Sequence, residues 1–167
     1  MIILKYPNPK LKSKAAPIEK ITPEILELGQ KMIKTVKRNK GAGLAANQVG
    51  ELKRLIIYLD NDKYKLLINP KIIRKSKEKI EVEEGCLSFP NLFGKVIRCK
   101  KVKVVSQNQL GKKVTISTSG LLAVILQHEI DHLDGILFID KTLAGSLHKV
   151  TPQKPAKKVQ AVELKND

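Results

Sequence analysis

Two histidines four residues apart in an apolar stretch constrain this chain more than any other feature. His128-Glu-Ile-Asp-His132 lies within a run that begins at Leu121 and ends at Gly135. On a helix, positions i and i+4 share a face one turn apart, so both imidazoles can bind one metal ion. Glu129 sits beside them, placed to hold and deprotonate a water there. Leu121, Leu122, Val124, Ile125, Leu126, Ile130 and Leu133 make the segment apolar nearly all round, which predicts a buried helix. Two of only three histidines thus occupy a segment where unpaired polar groups are costly, and a metal satisfies both. The competing reading is a helix turn whose histidines bond to neighbouring backbone. A metal site needs a third ligand.

A chain of 167 residues suits one domain and can bury a core without disulfides. Two cysteines, Cys86 and Cys99, are too few for a disulfide framework. The N-terminal segment has only a short apolar run, broken by Lys5, Pro7 and Pro9, which fits neither a secretory signal nor a membrane span. These features predict a cytoplasmic protein without membrane association, and a monomer is expected. The formal charge of +16 favours nucleic acid, ribosomes or anionic membranes as neighbours, or else reflects a lysine-solvated surface. Aromatic residues make up 4% of the chain, too few for the stacking platforms that read bases directly, so no nucleic-acid readout is expected.

A first helix is predicted from Thr22 as N-cap and Pro23 at the first helical position. Ile25, Leu28, Met32 and Val36 form its stripe, and Gly41 is its stop. Strand-like runs follow at 54–59 and 64–69 around a hairpin turn at 60–63, then at 79–83, 102–106 and 113–117. The buried helix comes next, with Ser119 as a plausible cap and Gly135 as its stop. This order predicts an α+β fold: antiparallel sheets packed around a central buried helix that carries the histidines, with an N-terminal helix. Residues 1–147 read as one catalytic domain, and 148–167 as a basic, flexible tail.

Cys86, in Glu84-Gly-Cys-Leu-Ser88, is the better third-ligand candidate, because Gly85 permits a close backbone approach beside a thiolate. Cys99 is the rival, and a lone cysteine is often just a small buried residue. Gly41-Ala-Gly-Leu-Ala-Ala-Asn-Gln48 is neither a P-loop nor a dinucleotide fingerprint. Its small residues let backbone pass close to a substrate, and Gln48 can donate an amide N–H to a developing oxyanion.

These three segments resemble, in the same order, the signature motifs of the peptide deformylases. Tyr6-Pro-Asn-Pro-Lys-Leu-Lys12, Leu67-Ile-Asn-Pro70 and His132-Leu-Asp-Gly-Ile-Leu-Phe-Ile-Asp140 resemble that family too, so the likeness runs from about Ile3 to Leu143. The resemblance implies removal of the N-formyl group from the N-terminal formylmethionine of new polypeptides, with release of formate. It implies Cys86, His128 and His132 as metal ligands and Glu129 as general base. It also implies Gln48 and the backbone N–H of Leu87 as oxyanion donors. The family's metal is typically Fe2+, although Zn2+, Ni2+ or Co2+ can occupy such a site. Gly43, Leu44, Glu84, Gly85, Leu121, Val124 and Ile125 are candidates for the substrate pocket, with core packing the alternative for Leu121. Arg98 matches a recurrent family arginine and is a candidate partner of Glu84, or else a surface charge. Ala42 departs from the larger aliphatic residue usual there, which predicts a roomier pocket mouth. The basic tail suggests ribosome contact. Two rivals are a His-Glu-x-x-His metallopeptidase with a downstream ligand such as His148, and a basic binding protein with a structural metal.

Overall fold

The computed structural model describes residues 1–151, so most of the predicted tail lies outside the described residues. Helix α1 (Pro23–Arg38) is followed by β1 (Gly43–Ala45), β2 (Leu55–Asp60), β3 (Lys63–Lys75), β4 (Lys79–Cys86), β5 (Phe89–Cys99), β6 (Lys101–Gln107), β7 (Lys113–Ser119), helix α2 (Gly120–Leu133) and β8 (His148–Lys149). One sheet has five strands in the order β1-β2-β3-β6-β7, and a second has three in the order β4-β5-β8. Every named pairing is antiparallel. The expected α+β architecture is what the chain adopts. No helix among the described residues is long and apolar enough to cross a membrane.

Alternation along the strands sorts side chains to the two faces of the large sheet. Leu55, Ile57 and Ile68 pack with Ile25, Leu28, Met32 and Val36 of α1. Ile56, Tyr58, Leu67, Val102 and Val104 pack with Ala123, Leu126, Ile130 and Leu133 of α2. Helix α2 also contacts β5, so it lies between the two sheets. Its burial is less complete than the apolar run suggests: Leu121 is 75% exposed, and Leu122 and Ile125 are only partly buried. At the first turn of α2, Leu121 lies outside the core and borders a cavity, while Leu122 and Ala123 pack against the core.

The predicted hairpin at 60–63 forms, with Asn61 and Asp62 both at positive φ, the conformation that matches strand twist. Both helix stops form, but the first differs from its prediction. At the end of α1 it is Lys40 that adopts the left-handed conformation (φ 54), while Gly41 N–H bonds to the Val36 carbonyl. Gly41 is needed for space: a Cβ there would sit 2.7 Å from Leu87 Cδ1 and 2.9 Å from Val36 Cγ2. Neither Thr22 nor Ser119 makes a side-chain capping bond.

The sequence reading missed β5 and stopped β3 short. Pro90, Asn91 and Gly94 break the periodicity of 89–99, and pairing with β4 rather than intrinsic propensity makes it a strand. His148 and Lys149, assigned to the tail, form a short strand on β5. Asn69, in β3 with φ 52, is a tie between distant segments. Its Oδ1 accepts from Ile18 N (2.8 Å), and its Nδ2 donates to Ile18 O (2.8 Å) and Gln107 Oε1 (3.1 Å). Asn69→Ala removes all three bonds and places alanine at positive φ, so it should lower unfolding free energy by ~2–4 kcal/mol in urea titration. A change within experimental error would refute this role.

Candidate metal centre

Cys86 closes β4 at the tip of the β4–β5 hairpin. Pairing there jumps from Gly85↔Phe93 to Cys86↔Phe89, an irregularity of the kind that re-aims a side chain beside a site. Gly85 faces the Phe93 ring so closely that a Cβ would lie 2.6 Å from it. The hairpin brings Cys86 over α2, where His128 and His132 lie with ring centroids 4.9 Å apart. One ligand atom from each of Cys86, His128 and His132 falls within 4.8 Å of the others. Cys86 Sγ is 3.3 Å from His132 Nε2. The rival ligand Cys99 stays away from this cluster; its backbone N–H and carbonyl are both bound by the Gln127 side chain (3.1 and 2.9 Å).

The surroundings fit a cation. Glu84 Oε2 accepts a hydrogen bond from His128 Nδ1 at 2.8 Å, which leaves Nε2 as the free ring nitrogen. Glu84 is in turn gripped by Arg98 through two bonds, Nε to Oε1 (2.6 Å) and Nη2 to Oε2 (2.9 Å). Arg98 also donates to Asp131, whose carboxylate takes a second bond from Lys141 at 2.7 Å. Arg98 is 3% exposed, so it is a buried partner of Glu84 and not a surface charge. Burial alone would raise the Glu84 carboxyl, but the bonds from Arg98 and His128 override it and hold it at about 2. Burial would likewise raise the Cys86 thiol, yet the neighbouring His132 and His128 hold it well below its ordinary value, favouring the thiolate that metals bind.

Glu129 is buried, and its Oε2 has no hydrogen-bond partner among the described residues. Burial pushes its carboxyl up to about 7, with the two histidines opposing the shift in part. An unpartnered buried carboxyl oxygen next to a converging Cys/His/His set is a place for a bound water. Gly43 makes room for it, since a Cβ there would overlap the Glu129 carboxyl, with Cγ at 2.7 Å. Gln48 is held by its own segment: Oε1 accepts from Ala45 N (2.9 Å), and Nε2 reaches Ser88 Oγ (3.1 Å) and Cys86 Sγ (3.4 Å).

A cavity of about 500 Å³ opens over this centre. Gly43, Gln48, Glu84, Gly85, Cys86, Leu87, Leu121, Val124, Ile125, His128 and Glu129 all border it, as does Ala42 at its rim. Leu44 does not: it is fully buried in the core under α1. Sequence reasoning missed Asp131, Gln127, Phe89 and Phe93. Asp131 and Gln127 gave a signal, because polar side chains in an apolar helix need partners. Phe89 and Phe93 reach the cavity only through the unrecognised strand β5. His148 stacks on Phe93 and lies 3.5 Å from Glu83, apart from the ligand cluster.

The model of the polypeptide deformylase family matches residues 1–147. A peptide deformylase of Halothermothrix orenii is 49% identical over 143 residues, covering 84% of this chain and 92% of the relative. The crystal structure of peptide deformylase from Thermotoga maritima superposes with a TM-score of 0.83 at 37% identity, covering 85% of this chain and 97% of the other. A probable peptide deformylase from Synechococcus phage S-SSM7 gives 0.80 at 41% identity, with 84% and 98% covered. With the motifs, the fold and the site in agreement, this chain belongs to the polypeptide deformylase family.

Proposed function

We propose that this chain is the hydrolase that removes the formyl group from the N-terminal methionine of newly made polypeptides and releases formate. The observation that carries the reading is that Cys86, His128 and His132 converge as one ligand set, with Cys86, His128, Glu129 and Gln48 bordering one cavity. Cys86, His128 and His132 would hold a divalent cation, which would supply Lewis-acid chemistry for a water and the formyl carbonyl. Glu129 takes the proton from the attacking water and delivers it to the methionine nitrogen as the C–N bond breaks, leaving formate and a free amine. Gln48 Nε2 and the backbone N–H of Leu87 donate to the oxygen that gains charge, each contributing about 3 kcal/mol by analogy with other oxyanion donors. Val124, Ile125 and Leu121 supply the apolar wall for the methionine side chain, and Ala42 widens its mouth. Gly43, Glu84 and Gly85 complete the pocket.

Neither rival accounts for the site as well. A His-Glu-x-x-His peptidase with a downstream ligand has no use for Cys86, and His148 stands apart from the cluster. A closed structural site needs four protein ligands, and the cluster among the described residues has three.

We take the native ion to be Fe2+, with Zn2+, Ni2+ or Co2+ able to replace it, since thiolate and imidazole donors suit all four. We read it as a cytoplasmic monomer that meets its substrate chains at the ribosome. Contact there through the basic surface or the 148–167 segment is part of this reading.

Three measurements test it. Glu129→Gln should cut formate release from formyl-Met-Ala-Ser by about 10²–10⁴-fold with metal content unchanged; a fully active variant would remove Glu129 from the chemistry. Glu84→Gln weakens the hold on His128, so competition with a chelator should show metal affinity about 10–100-fold lower. Equal affinity would mean that Glu84 does not orient the ligand. Protein purified without oxygen should lose activity in air and recover it with nickel after stripping. Equal activity in both atmospheres would count against iron.

A further inference from the structure

Away from the metal centre, β3, β6 and β7 form the edge half of the large sheet, and none of these strands contains an aspartate or glutamate. The other sheet carries Glu81, Glu83 and Glu84 on β4. Helix α1 packs on β1, β2 and β3, so the outer face beyond it is open. Val102 and Val104 turn inward to the core, which sends Lys101 and Lys103 outward, exposed. The register sets Lys103 beside Arg74 on one side and Ser117 on the other, and Lys101 beside Ser119. With Lys75 these residues border a groove of about 580 Å³ that shares no residue with the metal-site cavity. None of Arg74, Lys75, Lys101 or Lys103 lies within 4 Å of a carboxylate among the described residues. The nearby Glu78 is paired with Lys100 at 2.6 Å.

We propose that this groove is a docking surface for the phosphate backbone of folded RNA. Lys101 and Lys103 are spaced by two strand residues, roughly 7 Å, with Arg74 about 5 Å to the side, so the positive charges form a row. A row of cations flanked by serine hydroxyls suits successive phosphates, which both lysine and serine bind. No aromatic side chain borders the groove, so bases are neither stacked nor read, and binding is independent of sequence. Ser119 borders the groove, and Leu121, two residues on, borders the substrate cavity, so both open at the start of α2. RNA held there keeps the cavity mouth near chains emerging from an RNA-rich particle, raising their effective concentration. The choice of RNA as the polyanion rests on the function proposed above; the groove and its charge do not.

The test uses the full chain, a labelled RNA hairpin and fluorescence anisotropy across a salt series. Arg74→Gln/Lys75→Gln/Lys101→Gln/Lys103→Gln is compared with Lys20→Gln/Lys31→Gln/Lys34→Gln/Lys37→Gln, which removes the same charge from around α1. The groove variant should bind RNA about tenfold or more weaker, with a salt slope smaller by roughly 0.9 for each phosphate no longer neutralised, and the α1 variant should bind nearly as the parent does. Formate release from formyl-Met-Ala-Ser should be unchanged in both, with equal thermal midpoints showing that both are folded. Equal weakening in the two variants would reduce the effect to net charge and overturn the proposal. So would polyglutamate displacing RNA at equal charge concentration, which would make the partner an acidic polypeptide. Absence of RNA binding with formate release intact overturns the docking surface alone. RNA binding without formate release overturns the deformylase reading instead.

Discussion

The carboxylate of Glu84 is the joint on which this molecule depends. It stands on β4, accepts two bonds from Arg98 on β5 and one from His128 on α2, and so ties both strands of the hairpin to the helix. An isolated carboxylate in this position would be costly to bury, and so would an isolated guanidinium. Together they neutralise one another, with Asp131 and Lys141 extending the chain of charges toward solvent. The fork of Arg98 fixes the Glu84 carboxylate in orientation as well as charge, and that fixed acceptor sets which nitrogen of His128 faces the ligand cluster.

Around that joint the fold solves a problem of access. A metal-ligand helix must be buried enough to be rigid and open enough to meet a polypeptide end. Helix α2 does both by running between two sheets with its first turn protruding, so that Leu126 and Leu133 are fully buried while Leu121 is largely exposed. The closest approaches are made by glycines. Gly43 lets β1 pass against the Glu129 carboxyl, Gly85 lets β4 pass against Phe93, and Gly41 lets the end of α1 pass under Leu87. The cavity walls combine backbone and apolar side chains with Gln48, Cys86, His128 and Glu129.

Much of this was legible in the chain. The histidine spacing implied a shared face, the apolar run implied burial, and the three motif segments meet at one cavity. The hairpin at 60–63 and the two helix stops were also readable, because turn conformations are local. Strand β5 was not, since Pro90, Asn91 and Gly94 interrupt its alternation and only β4 makes it extended. The helix stop at Gly41 was right in place and wrong in cause: Lys40 takes the strained conformation and Gly41 provides the clearance. The backbone of Gly43 and Leu44 was expected to line the pocket; Gly43 borders it, while Leu44 is wholly buried in the core.

The sequence by itself determined the chemistry available: a thiol from one of two cysteines, two imidazoles a helical turn apart, a carboxyl beside them and an amide-bearing small-residue segment. Those are properties of residue type and short spacing, which the backbone period converts directly into shared faces. Only the tertiary structure decided which cysteine joins the histidines, because Cys86 and Cys99 lie on the same strand pair and the hairpin's irregular tip delivers just the first. It also decided that Arg98 is buried against Glu84 and that a row of cations beyond the reach of α1 has no carboxylate partner among the described residues. These outcomes depend on register and on which face another element covers, and both are set by contacts between residues far apart in the chain.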